Sequence, residues 1–346
     1  MGGKRGIPLL LIILISVFIS APFAFAAKEE EPSVKEKNIL EEQLGDIMPT
    51  LVRKHIGKLK LDLSTSMAGG YDANVNLQRY DEDGSVFMQN TLGIAGKYPI
   101  SDIYTLKGSY DFTSIKYFKF SDPDLIDNTL GVGLDTKIDD NFLWSVDYMA
   151  DFVGFPHDEQ SEYDLNQVGT SLKQDITDWL YQKMGYEFSY KHFPKSKTRN
   201  SRGVMLDRDR GDKRNTVFYQ LGAYIGDKTF LKSETSAFIN ESNELFLDYY
   251  DYRSLKTKLT LAHLITDKLY GMTSFTYQYK AYYKRSVSDR EFDQRDHLFV
   301  YGGSLFYDVI PQVSIGTSFD YRKNHSGENV EQYEDYIISS GVYCSF

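Results

Sequence analysis

The stretch Tyr336-Ile337-Ile338-Ser339-Ser340-Gly341-Val342-Tyr343-Cys344-Ser345-Phe346 alternates in character and ends on an aromatic residue. Tyr336, Ile338, Val342, Cys344 and Phe346 fall on one face, and Ser339, Gly341, Tyr343 and Ser345 on the other. A period of two with one apolar face is the signature of a β-strand. A terminal strand with nothing beyond it leaves a row of bare N–H and C=O groups unless both of its flanks are occupied. A closed barrel is the arrangement that removes every edge, so this stretch reads as a closing strand. The competing reading is an edge strand in a soluble β-sandwich.

The other end of the chain favours the barrel. Lys4-Arg5, the apolar run from Ile7 to Ala21 and Ala24-Phe25-Ala26 form the three regions of a cleavable secretory signal, which predicts a leader over residues 1–26 and a mature start at Ala27. Cys344 is the only cysteine, so neither an intrachain disulfide nor a cysteine zinc cluster is available. Beyond the leader no apolar run reaches the roughly 18 residues of a membrane helix, and a membrane-spanning mature chain must therefore cross as strands. Aromatics make up 15% of the sequence, with 27 Tyr and 22 Phe against 2 Trp, while the mean hydropathy is −0.42. A chain this polar yet this rich in rings suits strands with a lipid face, a wet face and aromatic girdles. Without Lys4 and Arg5, 37 cationic side chains stand against 49 carboxylates, an acidic balance opposed to nucleic-acid binding.

The Ser339-x-Gly341-x-x-Cys344-x-Phe346 ending resembles the polar-x-Gly-x-x-apolar-x-aromatic ending of bacterial outer-membrane β-barrels, with Cys344 an unusual occupant of the apolar slot. The resemblance implies an outer-membrane location and reading of Gly341, Cys344 and Phe346 by the barrel assembly machinery. It also implies outer-membrane lipid and lipopolysaccharide as the surroundings, and no cofactor or metal. The stretch Gly69-Gly70-Tyr71-Asp72-Ala73-Asn74-Val75 is similar to an opening found in porin-like barrels, including barrel modules of surface-lipoprotein assembly and exopolysaccharide-export proteins. The helical-repeat domain that such exporters carry has no counterpart here.

Residues 27–57 form a separate N-terminal segment with a charged start. Ile39, Leu40, Leu44, Ile47, Leu51 and Val52 recur at near-helical spacing around Pro49, leaving a short helix and an unstructured lead-in as alternatives. From residue 58 to 346 alternating segments are joined by connections that themselves alternate in length. Turn residues mark short connections at 99–102, 139–141, 177–178, 226–228, 266–267 and 310–311. Longer polar connections lie near 78–85, 119–125, 154–162, 194–214, 241–247, 284–296 and 323–332. This pattern predicts an all-β, antiparallel up-and-down transmembrane barrel of about 14 strands.

The polar faces of these segments place Lys107, Asp111, Asp147, Asp151, Lys183, Glu187, Lys256, Lys258, Lys280, Asp320 and Arg322 toward the interior. Charges of both signs there either pair across the wall or line a watery path; the two roles are compatible. The stretch Lys195 to Arg214 carries Lys195, Lys197, Arg199, Arg202, Arg208, Arg210, Lys213 and Arg214 against Asp207, Asp209 and Asp212, a net of +5. Read as the longest loop, it either lies against anionic head groups or folds inward as a constriction through Arg199, Arg202, Arg208 and Arg210.

Two function classes follow. The first is a porin-like channel for small hydrophilic solutes or for export of a polymer. The second is an outer-membrane hydrolase, or a plugged structural or adhesive barrel. His325-Ser326 is the nearest approach to a hydrolytic grouping, but adjacent residues on a strand point to opposite faces. His157 lies in a loop, and His55, His192, His263 and His297 are scattered singly, without zinc-ligand spacing.

Overall fold

The computed structural model describes residues 54–56, 58–79, 83–246, 248–287 and 293–346. The leader, the stretch from Ile39 to Val52 with its helix and lead-in alternatives, and most of the N-terminal segment lie outside the described residues. The described elements are β1 (Lys54–Ile56), β2 (Leu59–Asp72), β3 (Ser85–Pro99), β4 (Tyr104–Tyr117), β5 (Leu125–Lys137), β6 (Phe142–Gly154), β7 (Tyr163–Thr177) and β8 (Leu180–Arg199). They continue with β9 (Met205–Ile225), β10 (Thr229–Ser242), β11 (Tyr252–Thr266), β12 (Leu269–Ser286), β13 (Asp293–Ile310), β14 (Val313–Ser326) and β15 (Tyr333–Ser345). Strands β2 to β15 pair antiparallel in sequence order, and β15 returns to pair with β2, giving a closed barrel of 14 strands. The short β1 adds to the start of β2.

Closure rests on the final stretch. Ile337 pairs with Asp72 and Ser345 with Ser64, and beyond them Phe346 exchanges two backbone hydrogen bonds with Leu63, at 2.9 and 2.7 Å. The seam is thus paired from Leu63 to Asp72, which occupies the outer flank of both terminal strands there.

All six short turns fall where turn residues were read. Asp139 accepts from the backbone N–H groups of Asn141 and Phe142 at 2.7 and 2.9 Å, the self-bonding that makes aspartate a turn former. Gly226 takes a positive φ of 62° at the 226–228 turn, where a side chain would be strained. The long connections also alternate as expected, with one correction. The basic stretch 195–214 is not a loop: β8 runs to Arg199 and β9 starts at Met205, leaving 200–204 as the turn. There Asn200 accepts from the N–H groups of Arg202 and Val204, and Gly203 has φ 79°. Cross-strand charge explains the extension, since Lys197 lies 2.8 Å from Asp209 and 3.3 Å from Asp207.

The pleat separates two faces around the whole barrel. Leu63, Met67, Leu92, Leu130, Val132, Val168, Val217, Leu259, Leu305, Ile315, Phe319, Ile338 and Val342 are exposed on the outside. A continuous apolar belt of this extent is unstable in water and is satisfied by lipid. Tyr98, Tyr104, Trp144, Trp179 and Tyr307 stand exposed toward the short-turn end, as an interfacial girdle does.

Candidate solute pathway through the barrel

Each interior charge predicted from the sequence sits on the face opposite the apolar belt. Lys107 is the centre of one cluster, 2.7 Å from Asp135 and 2.9 Å from Asp147, and Ser145 donates to Asp135 at 2.7 Å. Asp151 accepts from the Thr129 hydroxyl at 2.8 Å, and Asp111 stands opposite Gly93 and Thr129. Glu187 faces Gly169 and Thr216, while Lys183 faces Lys173 and Gln220 and lies over the Phe218 ring at 5.7 Å. Lys258 is opposite Glu234, and Lys280 is opposite Asp296. Lys256 faces Ser236 and Gln278. Asp320 is opposite Gly302 and Ile337, and Arg322 opposite Val300 and Asp335. Neighbouring strands thus bring together most opposite charges, with Lys183 and Lys256 lacking a carboxylate partner among the described residues.

The interior has two unlike walls. Across β13, β14, β15, β2, β3, β4 and β5 it carries Gly302, Ser304, Ser314, Gly316, Ser318, Ser339, Gly341, Ser64, Ser66, Ala68, Thr91, Gly93, Ser109, Gly131 and Gly133. From β7 to β12 it carries long and aromatic side chains, among them Lys173, Tyr181, Phe218, Gln220, Lys232, Phe238, Lys256 and Met272.

Several inward rings face a glycine directly across the ladder and lie flat on it. Phe306 covers Gly316, Phe87 covers Gly70, Phe218 covers Gly185 and Tyr181 covers Gly222; a Cβ at these glycines would meet the ring at 2.4, 2.5, 2.5 and 2.2 Å. The missing side chain is what lets the ring rest against the wall.

At the long-loop end the connection 243–251 folds over the bulky wall. The Arg199 N–H and Nε donate to Glu244 at 2.7 and 2.9 Å, and Leu245 N–H donates to the Arg199 carbonyl at 3.1 Å. The Arg210 guanidinium stacks on Tyr250 at 3.2 Å and on Phe193 at 4.1 Å, and Arg285 stacks on Tyr249 at 3.5 Å. Arg285 also donates to Glu331 at 3.1 Å. Arg199 and Arg210 therefore hold a different loop in place, while Arg202 and Arg208 are exposed on the hairpin. Sequence reading missed Glu244, Tyr249, Tyr250, Arg285 and Glu331. The signal available was the dense ring and acid run Asp248-Tyr249-Tyr250-Asp251-Tyr252.

At the seam, Asn74 N–H donates to both Asp72 and Asp335, at 3.1 and 3.2 Å, and the Tyr117 hydroxyl donates to Asp72 at 3.1 Å. Of the histidines, His325 turns outward and packs against Phe299, while Ser326 turns inward and accepts from Gln294 at 2.9 Å.

A closed 14-stranded up-and-down barrel with a lipid belt outside and paired charges inside is a transmembrane barrel of the outer-membrane type. No family model matches the chain, and no curated protein matches it. Among solved structures, the outer membrane channel DcaP of Acinetobacter baumannii shares the fold with a TM-score of 0.52 at 8% identity, covering 85% of this chain and 100% of that one. The outer-membrane expressed OmpT of Vibrio cholerae gives 0.50 at 11% identity, covering 85% and 100%. At such identities the likeness is one of fold.

Proposed function

We propose that this chain is an outer-membrane channel for small hydrophilic solutes. The observation that carries the reading is the asymmetric interior, in which a wall of serine and glycine faces a wall of long side chains. Short side chains leave the cross-section of a barrel this size unfilled, and hydroxyls and paired charges keep that space wet. The 243–251 loop is tied to β8, β9 and β12, and through Arg285 it adjoins Glu331 in the β14–β15 connection. The likeness in fold to an outer membrane channel supports the same reading.

Within it, the path has a weak preference for anions. Lys183 and Lys256 face the interior without a carboxylate partner among the described residues, and low-dielectric walls focus such charges on the path.

Single-channel recording of the folded protein in planar bilayers tests the proposal. Stepwise openings are expected across a range of salts, with a reversal potential on the anion side that fades near 1 M salt, where the Debye length is about 3 Å. Silence from protein that keeps its heat-modifiable gel migration overturns the channel reading. Cation preference overturns the selectivity.

A further inference from the structure

The two interior lysines without a carboxylate partner, Lys183 and Lys256, belong to one patch. Lys183 on β8 faces Gln220 on β9, Gln220 faces Glu234 on β10, and Glu234 faces Lys258 on β11. One step toward the long-loop end, Gly185, Phe218, Ser236, Lys256 and Gln278 follow one another across β8 to β12. Lys183 and Lys256 therefore stand at diagonal corners, about 16 Å apart at the backbone for strands about 4.8 Å apart with a rise of about 3.4 Å per residue. The inward curvature of the wall brings their ammonium groups closer than that. Lys183 also leans along the diagonal, with its Nζ 5.7 Å from the centre of the Phe218 ring.

The side chains between the two lysines leave a gap. Phe218 lies back over Gly185, where a Cβ would meet its ring at 2.5 Å, and so turns away from β10. Gln220 donates to the Tyr181 hydroxyl at 2.8 Å, toward the short-turn end, and Gln278 donates to the Ser254 hydroxyl at 3.1 Å, toward the long-loop end. Both amides are thus drawn off the patch. What remains between the ring and Lys256 is Ser236, a short hydroxyl floor.

The surrounding charges do not cancel the pair. Asp175 lies 2.8 Å from Lys173, and Glu234 lies 3.9 Å from Lys232 and opposite Lys258. Glu187 stands one step beyond Gly185, opposite Gly169 and Thr216. Lys173, Lys183, Lys232, Lys256 and Lys258 outnumber these carboxylates. A ring face attracts an ammonium through its quadrupole yet carries no net charge, so Phe218 seats Lys183 without neutralising it.

A monoanion satisfies one of the two lysines. A solute with an anionic group at each end of a hydrocarbon spacer satisfies both, because the first contact holds the second at high effective concentration. Its spacer crosses Ser236 beside the Phe218 ring. We propose that Lys183, Phe218, Ser236 and Lys256 form a binding step for such organic dianions, an inference that rests on the channel reading and names its solute class.

Binding is measured by ligand-observed NMR on the detergent-folded full chain at low ionic strength, without any current. Three probes separate charge from span: adipate, with a carboxylate at each end; hexanoate, of the same length with one carboxylate; and malonate, with two carboxylates close together. Adipate is expected to bind roughly tenfold or more tightly than either of the others, as bridging requires. Lys183→Met and Lys256→Met should each bring adipate down to the hexanoate level, and the double variant should lose little more, because losing either end ends the bridge. Lys97→Met, an exposed lysine on β3, should leave adipate binding within about twofold. Heat-modifiable migration identifies the folded variants. Malonate or hexanoate matching adipate overturns the proposal. So does a loss in Lys97→Met as large as that in Lys183→Met, which would assign binding to the general field of the interior. A silent bilayer overturns the channel reading, whereas adipate binding in the same folded protein still decides the site.

Discussion

The wall from β13 round to β5 and the wall from β7 to β12 obey the same pleat, the same antiparallel ladder and the same lipid belt, yet they solve opposite problems. The first carries serine and glycine between its interior charges Lys107, Asp320 and Arg322, and its rings Phe87 and Phe306 lie on glycines across the ladder, as Phe218 and Tyr181 do on the second. The second fills its interior with cations and rings, and then adds a loop held by Arg199, Arg210 and Arg285. The difference teaches that the outside of a barrel is set by the membrane, whereas the shape of the inside is set residue by residue. Space on one wall is an outcome of packing on both.

The largest effect is expected from filling a glycine on the open wall. In Gly316→Val the new Cβ meets Phe306 at 2.4 Å and Tyr343 at 3.1 Å, so the rings must swing off the wall. Overpacking of this kind costs about 1–3 kcal/mol. Lower heat-modifiable stability and a reduced single-channel conductance are expected. Phe306→Ala placed in the same chain should restore both, because the clash needs both partners. Restoration by Phe306→Ala failing in correctly inserted protein would show that the ring and glycine are not the determinant.

Next in size is the charge cluster where the two walls meet. Lys107→Met leaves Asp135 and Asp147 facing the interior without their cation. A loss of about 1–3 kcal/mol is expected in denaturant unfolding, together with a shift of reversal potential toward cations. Lys256→Met removes a cation that has no carboxylate partner among the described residues, and it should move selectivity the same way with little change in stability. Equal destabilisation by the two variants would erase the distinction between paired and unpaired interior lysines.

How much of this was readable beforehand follows from where each feature is encoded. Strand alternation and turn chemistry are local: Asp139 and Thr266 mark their turns by short-range hydrogen bonds and Gly226 by its positive φ. The parity of Lys107, Asp151 or Arg322 is likewise local, because a period of two needs no partner. The serine and glycine wall is not local. Its members sit at the two ends of the sequence, near Ser64 and near Ser339, and only closure of β15 on β2 makes them one surface. The hairpin at 195–214 was read as a loop because its charge density outweighed its alternation, although Lys195, Lys197 and Arg199 keep a period of two. The loop at 243–251 depends on stacking with Arg210 and Arg285, each more than thirty residues away, for which sequence offers no spacing.

Releasing that loop sharpens the comparison from the bulky side. Arg210→Ala removes the stacking on Tyr250 and Phe193, worth about 0.5–2 kcal/mol, and leaves Asp212 without its partner at 2.5 Å. Faster proteolysis within 243–251 and noisier current are expected, with the barrel intact. Arg202→Ala, on the exposed hairpin tip, should change neither. Loop cleavage unaffected by Arg210→Ala would mean that the Arg199–Glu244 and Arg285–Tyr249 contacts hold the loop without it.

The smallest effect is a dependence on pH, and it arises from Asp251 at the end of the same loop. Burial pushes its carboxyl up to about 6, helped by the nearby carboxylates of Asp248, Asp212 and Glu241, while the Ser242 N–H that donates to it at 2.6 Å pulls the other way. A carboxyl raised in the docked state binds its proton more readily there than when the loop is free. Docking is therefore weakened above pH 6, where Asp251 must ionise among like charges, and it strengthens as pH falls from about 6 toward the ordinary value of 3.8. Hydrogen exchange of the 243–251 amides, corrected for its intrinsic pH dependence, should show greater protection at pH 5 than at pH 7.5. In Asp251→Asn the protection should be nearly level across that range, since an amide keeps an acceptor for Ser242 and carries no charge. A pH dependence unchanged in Asp251→Asn would assign the titration to another group on the bulky wall.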